Sequence, residues 1–175
     1  RVFGAPLGEI SAVYGNLFVA RAEDGLCELS FRDLEAAQIF SRWSLRQSQW
    51  FVSDDDRFFM QALADLLRFA IRTGAIAKDD LLRTEPDVLA RLTADSACAR
   101  FWAQYRRITG TCAGKTPPAN TYAVRVRAKK RHINPLVQTP SGMKRQTELD
   151  EAFAAQLRAF LRDDFDRFVW AGFTD

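Results

Sequence analysis

From Thr121 to Val137 the chain reads TYAVRVRAKKRHINPLV. Tyr122, Val124, Val126 and Ala128 alternate there with Thr121, Arg125, Arg127 and Lys129. A period of two sends the apolar set to one face of an extended chain and the polar set to the other, so the spacing predicts a half-buried strand with its cations outward. Ile133, Leu136 and Val137 form a second apolar run interrupted by Asn134-Pro135. Pro135 has no N–H to give to a ladder and fits a strand start or an edge.

Elsewhere the apolar positions follow the helical period. Leu34, Ala37, Ile39, Phe40, Trp43 and Trp50 predict a first helix reaching about Phe51, with Ser30 and Asp33 as its capping signals. Ser53 and the three carboxylates Asp54, Asp55 and Asp56 open a second. Phe59, Leu63, Leu66, Leu67, Ala70 and Ile71 line that helix until Thr73-Gly74 stops it. Thr84 and Pro86 begin a short helix through Leu89 and Leu92. Asp95 or Ser96 begins another, carrying Cys98, Phe101, Trp102, Tyr105 and Ile108 as far as Gly110. Leu149, Phe153, Leu157, Phe160 and Leu161 predict a last helix over 148–162. Asp24-Gly25 sits between Leu17–Arg21 and the apolar positions Leu26 and Leu29 and reads as the turn of a hairpin. Ser141-Gly142 reads as a second. Residues 110–120, with Gly114, Pro117 and Pro118, read as a loop and the best internal boundary. Phe165, Phe168, Val169, Trp170 and Phe173 form an aromatic tail suited to closing a sheet edge or meeting another chain. The fold expected is α+β, predominantly helical, with a small antiparallel sheet. Residues 1–113 form a helical part with an N-terminal hairpin, and residues 114–175 the basic strands, last helix and aromatic strand.

Composition narrows the function classes. At 175 residues, 47% hydrophobic and 12% aromatic, the chain can bury an ordinary globular core. The excess of 25 basic over 22 acidic side chains leaves only +3, too little for a global field, so any affinity for anions must be local. Five of the seven residues from Arg125 to Arg131 are basic. Arg125, Arg127 and Lys129, on one face, could hold phosphate oxygens through planar forks and a point charge, or could simply solvate an edge strand. Three scattered cysteines, Cys27, Cys98 and Cys112, suit neither a disulfide framework nor a zinc site, and a reducing cytoplasm is the expected compartment. No apolar run approaches the ~18 residues of a membrane span. The opening at Arg1 reads as the start of a portion of a longer chain.

The single histidine, His132, reads as a surface or sheet residue rather than a catalyst. Asp54, Asp55 and Asp56 on successive helical positions point in different directions, which favours helix-end electrostatics over a cation site. No phosphate-cradling glycine loop and no Gly-x-Ser-x-Gly elbow occurs. The residues give no complete active site.

Four stretches nevertheless resemble a known group. Phe40-Ser41-Arg42-Trp43-Ser44-Leu45-Arg46-Gln47 is similar to the Arg-aromatic-x-x-x-Arg-Gln helix in the C-terminal half of HD-domain metal-dependent phosphohydrolases of the dNTP triphosphohydrolase type. The helix over 58–72 followed by Lys78-Asp79-Asp80-Leu81, the run from Val126 to Val137, and Leu149-Asp150 with Asp163-Asp164-Phe165 resemble the same half. The resemblance implies HD-type C-terminal helices and phosphate contacts from Arg42 and Arg46 beside Arg125, Arg127 and Lys129. It also implies active-site cover, subunit interfaces in a homo-oligomer, and action on nucleotides or phosphate esters. It implies a divalent metal for the whole protein but none in this chain, because the family's His, His-Asp and later Asp belong to its N-terminal half and no His-Asp occurs here. Where the family places a Tyr-x-His-Lys-like run, this chain has Gln49-Trp50-Phe51-Val52. The other class expected from the residues is a non-catalytic module that binds nucleic acid or a protein partner.

Overall fold

The structure, a computed structural model, describes residues 4–22 and 24–172. Along the chain it forms α1 (Leu7–Asn16), β1 (Leu17–Arg21), β2 (Cys27–Phe31), α2 (Leu34–Phe51) and α3 (Asp54–Thr73). A 3-10 turn at Lys78–Leu82 leads to α4 (Glu85–Ala94), α5 (Ser96–Tyr105), β3 (Gly110–Gly114) and β4 (Ala123–Val124). Then come β5 (Leu136–Thr139), β6 (Gly142–Arg145), α6 (Gln146–Leu149), α7 (Glu151–Arg162) and β7 (Phe168–Gly172). The class is the expected one, mostly helical α+β. Contacts divide the chain into two compact units, Arg1–Val52 with Lys129–Asp164, and Ser53–Ala128 with Phe165–Asp175. Each unit joins two separated stretches, and the point between residues 113 and 114 lies within β3.

In the first unit the expected hairpin forms, β1 pairing antiparallel with β2 from Leu17 opposite Phe31 to Arg21 opposite Cys27. The Asp24 carboxylate accepts the Leu26 N–H at 3.0 Å and closes the turn, as short acidic side chains do. β2 then runs parallel to β5, with Phe31 opposite Val137, and β5 turns through Gly142 into β6. The sheet is therefore mixed, in the order β1-β2-β5-β6. Phe31, Ala36, Ala37 and Val137 form its buried core against α2. Asp33 alone caps α2, accepting the Ala36 N–H at 2.7 Å; Ser30 is a buried strand residue whose hydroxyl donates to the Glu28 carbonyl. The helix expected over 148–162 is interrupted at Asp150, whose extended backbone ends α6. Its carboxylate accepts the Phe153 N–H at 2.9 Å to start α7. That bond, together with the Gln38 amide, holds the Asp150 carboxyl below the usual carboxylate range.

In the second unit Ser53 caps α3 by accepting the Asp56 N–H at 3.2 Å. Phe58, Ala62, Leu66 and Ala70, four apart, turn one face of that helix inward. The lower half packs with Val124 and Val169, the upper half with Ile76, Leu92 and Cys98. α5 ends at Tyr105, not at Gly110. Gly110 opens a strand where a loop was expected, because β7 lies alongside with Gly110 opposite Gly172 and Gly114 opposite Phe168. The aromatic tail thus becomes the middle strand of an antiparallel sheet ordered β3-β7-β4, and Val169 at its centre is fully buried. Phe173 lies outside the described residues. No helix among the described residues is long and apolar enough to cross a membrane.

Gly74 caps α3 at φ 80°, a conformation in which a Cβ is strained, whereas Gly15 inside α1 has open space at the Cβ position. Gly74→Ala is expected to lower the unfolding free energy by ~1 kcal/mol, and Gly15→Ala to raise it by ~0.5 kcal/mol, in urea denaturation.

Candidate functional site

The basic segment departs from its expected form in an instructive way. Only Ala123 and Val124 join a ladder, pairing with Trp170 and Val169, and the chain from 125 to 135 is in no sheet. β7 begins at Phe168, and before it Phe165 takes a left-handed turn at φ 51°, so no strand continues alongside Arg125 and Val126. The alternation survives without the ladder: Val124 is buried, Val126 and Ala128 are half-buried, and Arg125, Arg127 and Lys129 are exposed.

What replaces the ladder is Arg57, in the first turn of α3 and only 5% exposed. Its Nη1 donates to the Val126 carbonyl at 2.8 Å and to the Phe165 carbonyl at 2.7 Å, and its Nη2 pairs with the Asp54 carboxylate. Arg167 Nε reaches both oxygens of Asp54, at 3.0 and 3.1 Å. The Phe165 ring lies 5.9 Å from the Arg57 guanidinium and 5.7 Å from that of Arg167. One buried cation therefore ties the helix start, the basic segment and the approach to β7 together. Its Nε–H has no acceptor among the described residues, a loss of about 1–3 kcal/mol that the other bonds must offset. The sequence carried one signal for this residue, an Asp54–Arg57 pair at i, i+3; nothing local marks the two carbonyls.

Arg125, 52% exposed, makes a two-pronged contact with Asp166, both bonds at 2.8 Å, and stacks 5.4 Å from the Phe168 ring. Arg125 foremost, then Arg127 and Arg57, hold the Asp166 carboxyl below the ordinary carboxylate range. Arg127 donates no hydrogen bond to a described residue and is exposed beside that pair. The other three expected phosphate ligands belong to the first unit. Arg42 pairs with Glu9 of α1 at 2.8 Å, while the Trp43 indole N–H donates to the second oxygen of the same carboxylate at 2.5 Å. Arg46 lies over the Trp43 ring at 5.6 Å. Lys129 is exposed. Of the five, then, Arg125 and Arg127 share one unit and one side of one segment, and Arg42 and Arg46 share one helix.

The described side chains that could hold a divalent metal are apart or already engaged. His132 is exposed in the irregular segment, Asp54 is engaged by two guanidinium groups, and Asp55 accepts from the Thr111 hydroxyl at 2.6 Å. Among the described residues no group of three or more His, Cys, Asp or Glu side chains could hold a metal ion.

Just before the basic residues, Tyr122 lies between Phe58 and Phe101, edge-on to both, and donates its hydroxyl to Asp65 at 2.7 Å. Burial, then the Asp65 carboxylate, push the phenol far above its ordinary range. Asp65 also accepts from Gln61 and Arg68. No family's sequence profile, no characterised protein and no solved structure matches the chain.

Two outcomes follow. Arg57→Met leaves Asp54 and the Val126 and Phe165 carbonyls without the partner they share, and is expected to cost ~3–5 kcal/mol in urea unfolding. Because the folded state keeps the Tyr122 phenol protonated well above the pKa of an unfolded tyrosine, its contribution is complete below about pH 10 and is lost as pH rises beyond it. The stability of the unaltered protein should fall more steeply above that pH than that of Tyr122→Phe; parallel alkaline profiles would refute the coupling.

Proposed function

We propose that this chain is a part of an HD-type phosphohydrolase that carries no metal ligands itself and meets the phosphate of a nucleotide or phosphate ester. Arg127 is the principal contact and Arg125 lies beside it. The observation that carries the reading is the exposed side of the segment at residues 125–127. Arg57 fixes the backbone from beneath through the Val126 carbonyl, and the Arg127 guanidinium projects without a hydrogen-bonded partner. A guanidinium on an anchored backbone whose N–H groups no carboxylate has taken up presents its fork to an anion with little ordering left to lose. The resembling run from Val126 to Val137, whose Asn134-Pro135 leads directly into β5, supports the same reading.

A subunit interface belongs to this reading too. Val19 and Leu29 face each other across the edge strand β1 and its neighbour β2, and both are more than half exposed. α1 adds Leu7 and Tyr14, exposed on one side at helical spacing. Apolar surface of that kind, in one unit, suits a second copy of the chain.

Nucleotide titration tests the phosphate contact. Arg127→Ala is expected to weaken binding about tenfold, as loss of a hydrogen bond to a charged group does. Arg125→Ala, whose fork is already held by Asp166, should stay within about twofold. Equal affinities for both variants and the unaltered chain would sink the phosphate role. Tight single-stranded oligonucleotide binding with a steep salt slope, and none of mononucleotides, would move the function to nucleic-acid binding. For the interface, light scattering should give a dimer that Val19→Glu converts to a monomer; an unchanged mass rejects it.

A further inference from the structure

A second place in the Ser53–Ala128 unit has the makings of a ligand site, and none of the five cations discussed above lines it. A cavity of about 520 Å³ opens between α3, α5 and the chain entering β4, within the size range of small-molecule sites. Phe58, Phe101, Tyr105 and Tyr122 supply its aromatic walls, and Phe58 with Ala62 is fully buried at its floor. The walls are fixed. Tyr122 is held edge-on by Phe58 and Phe101, with ring centroids 5.9 and 6.2 Å away. Tyr105 stacks on Trp102 at 5.3 Å and meets Phe59 edge-on at 5.5 Å. Both phenol hydroxyls are already donated, to Asp65 and to the Phe59 carbonyl, so these residues offer their rings to a ligand rather than their polar ends.

The polar part of the lining is equally selective. Gln104, Asn120 and Thr121 stand in it, and neither side-chain amide is hydrogen-bonded to a described residue. An amide carries a donor and an acceptor side by side, which a nitrogen heterocycle's edge matches and a plain hydrocarbon ring does not. Asn120 is held at φ 58°, one of two described non-glycine residues with a left-handed backbone, the other being Phe165. Strained backbone of this kind concentrates where a side chain must be aimed. Arg107 is the one charged side chain in the lining among the described residues. It is exposed and pairs with no carboxylate.

We infer that this cavity is a nucleotide-binding site, which takes the base among the four rings with its edge against Gln104 and Asn120 and the phosphate against Arg107. The ring walls provide stacking that any base can use, the two amides read its edge, and the lone guanidinium selects for a negative group. This inference shares a ligand class with the reading above but uses different residues and needs no catalysis.

The experiment is calorimetric titration of the full chain with AMP, CMP, GMP and UMP, and with the corresponding neutral nucleosides, for the unaltered protein, Arg107→Gln and Ala171→Phe. The Arg107 side chain is exposed and makes no hydrogen bond or ion pair with a described residue, so its replacement leaves folding alone. Ala171 lines the cavity, so a phenyl ring there fills it. At least one monophosphate should bind about tenfold or more tightly than its nucleoside. Arg107→Gln should abolish that difference while leaving the nucleoside unaffected, and Ala171→Phe should remove binding of both. No binding by any monophosphate at millimolar concentration, or a monophosphate preference that Arg107→Gln leaves intact, overturns the inference. Binding that depends on Arg107 but not on Arg127 keeps this site and sinks the surface contact of the preceding reading; the opposite dependence does the reverse.

Discussion

A guanidinium group taken out of water must find partners for its charge and its N–H groups, and the placing of Arg57 is the constraint around which the second unit is arranged. Its partners come from three places in the sequence: a carboxylate one helical turn back, a carbonyl in the basic segment, and a carbonyl at the turn before β7. A hydrophobic side chain of similar volume could fill the same space, but it could not donate to the Val126 carbonyl, which lies beyond the end of the ladder, or to the Phe165 carbonyl. The cation is thus a substitute for strand pairing. It holds the segment extended where the sheet has ended, and the outward alternation of Arg125 and Arg127 is a by-product of that anchoring.

Many of the described arginines are engaged in structure rather than waiting for ligands. Arg145 binds both oxygens of Glu28 at 2.7 and 2.8 Å and so clamps β6 to β2 across the intervening strand, while Arg83 and Arg91 share Asp80. Arg42, Arg125 and Arg167 likewise each have a carboxylate. Density of positive charge along the sequence therefore says little about anion binding here. The discriminating property is a fork whose N–H groups no carboxylate binds, and that is a property of the fold.

How much the sequence disclosed follows from the range of the interactions involved. The hairpin at Asp24-Gly25, the cap at Ser53, the stop at Gly74 and the helical period of α3 and α7 were all legible, because each depends on residues within a turn or two of one another. The inward face of α3 is turned toward Phe58 and Ala62, however, and not toward the expected Phe59 and Leu63. The basic segment misled because alternation reports burial, not pairing. Val126 is half-buried with or without a neighbouring strand, and only the start of β7 decides which. β3 was hidden for a related reason: Gly-Thr-Cys-Ala-Gly has little strand character of its own and is drawn into a sheet by Phe168–Gly172. α1 was overlooked although Leu7, Ile10, Val13 and Tyr14 have helical spacing, since its outward side is as apolar as its inward one. Arg107 carries no signal of its own in the sequence. It is one of two consecutive arginines after a helix, and only the cavity beside it distinguishes it.

The position of β7 has a consequence for how the second unit assembles. β3 and β4 make no ladder with each other; each is joined only to β7, which arrives after the whole of β5, β6, α6 and α7. During synthesis the sheet edge of that unit, and the carbonyl of Phe165 that completes the Arg57 cluster, stay open until the first unit's second stretch has been made. Closing a sheet across so long an intervening loop is slow relative to helix formation, and a half-made unit exposes two unpaired strands meanwhile. The charged, ladderless segment after β4 keeps one of those edges from recruiting a neighbouring chain before its proper partner is available.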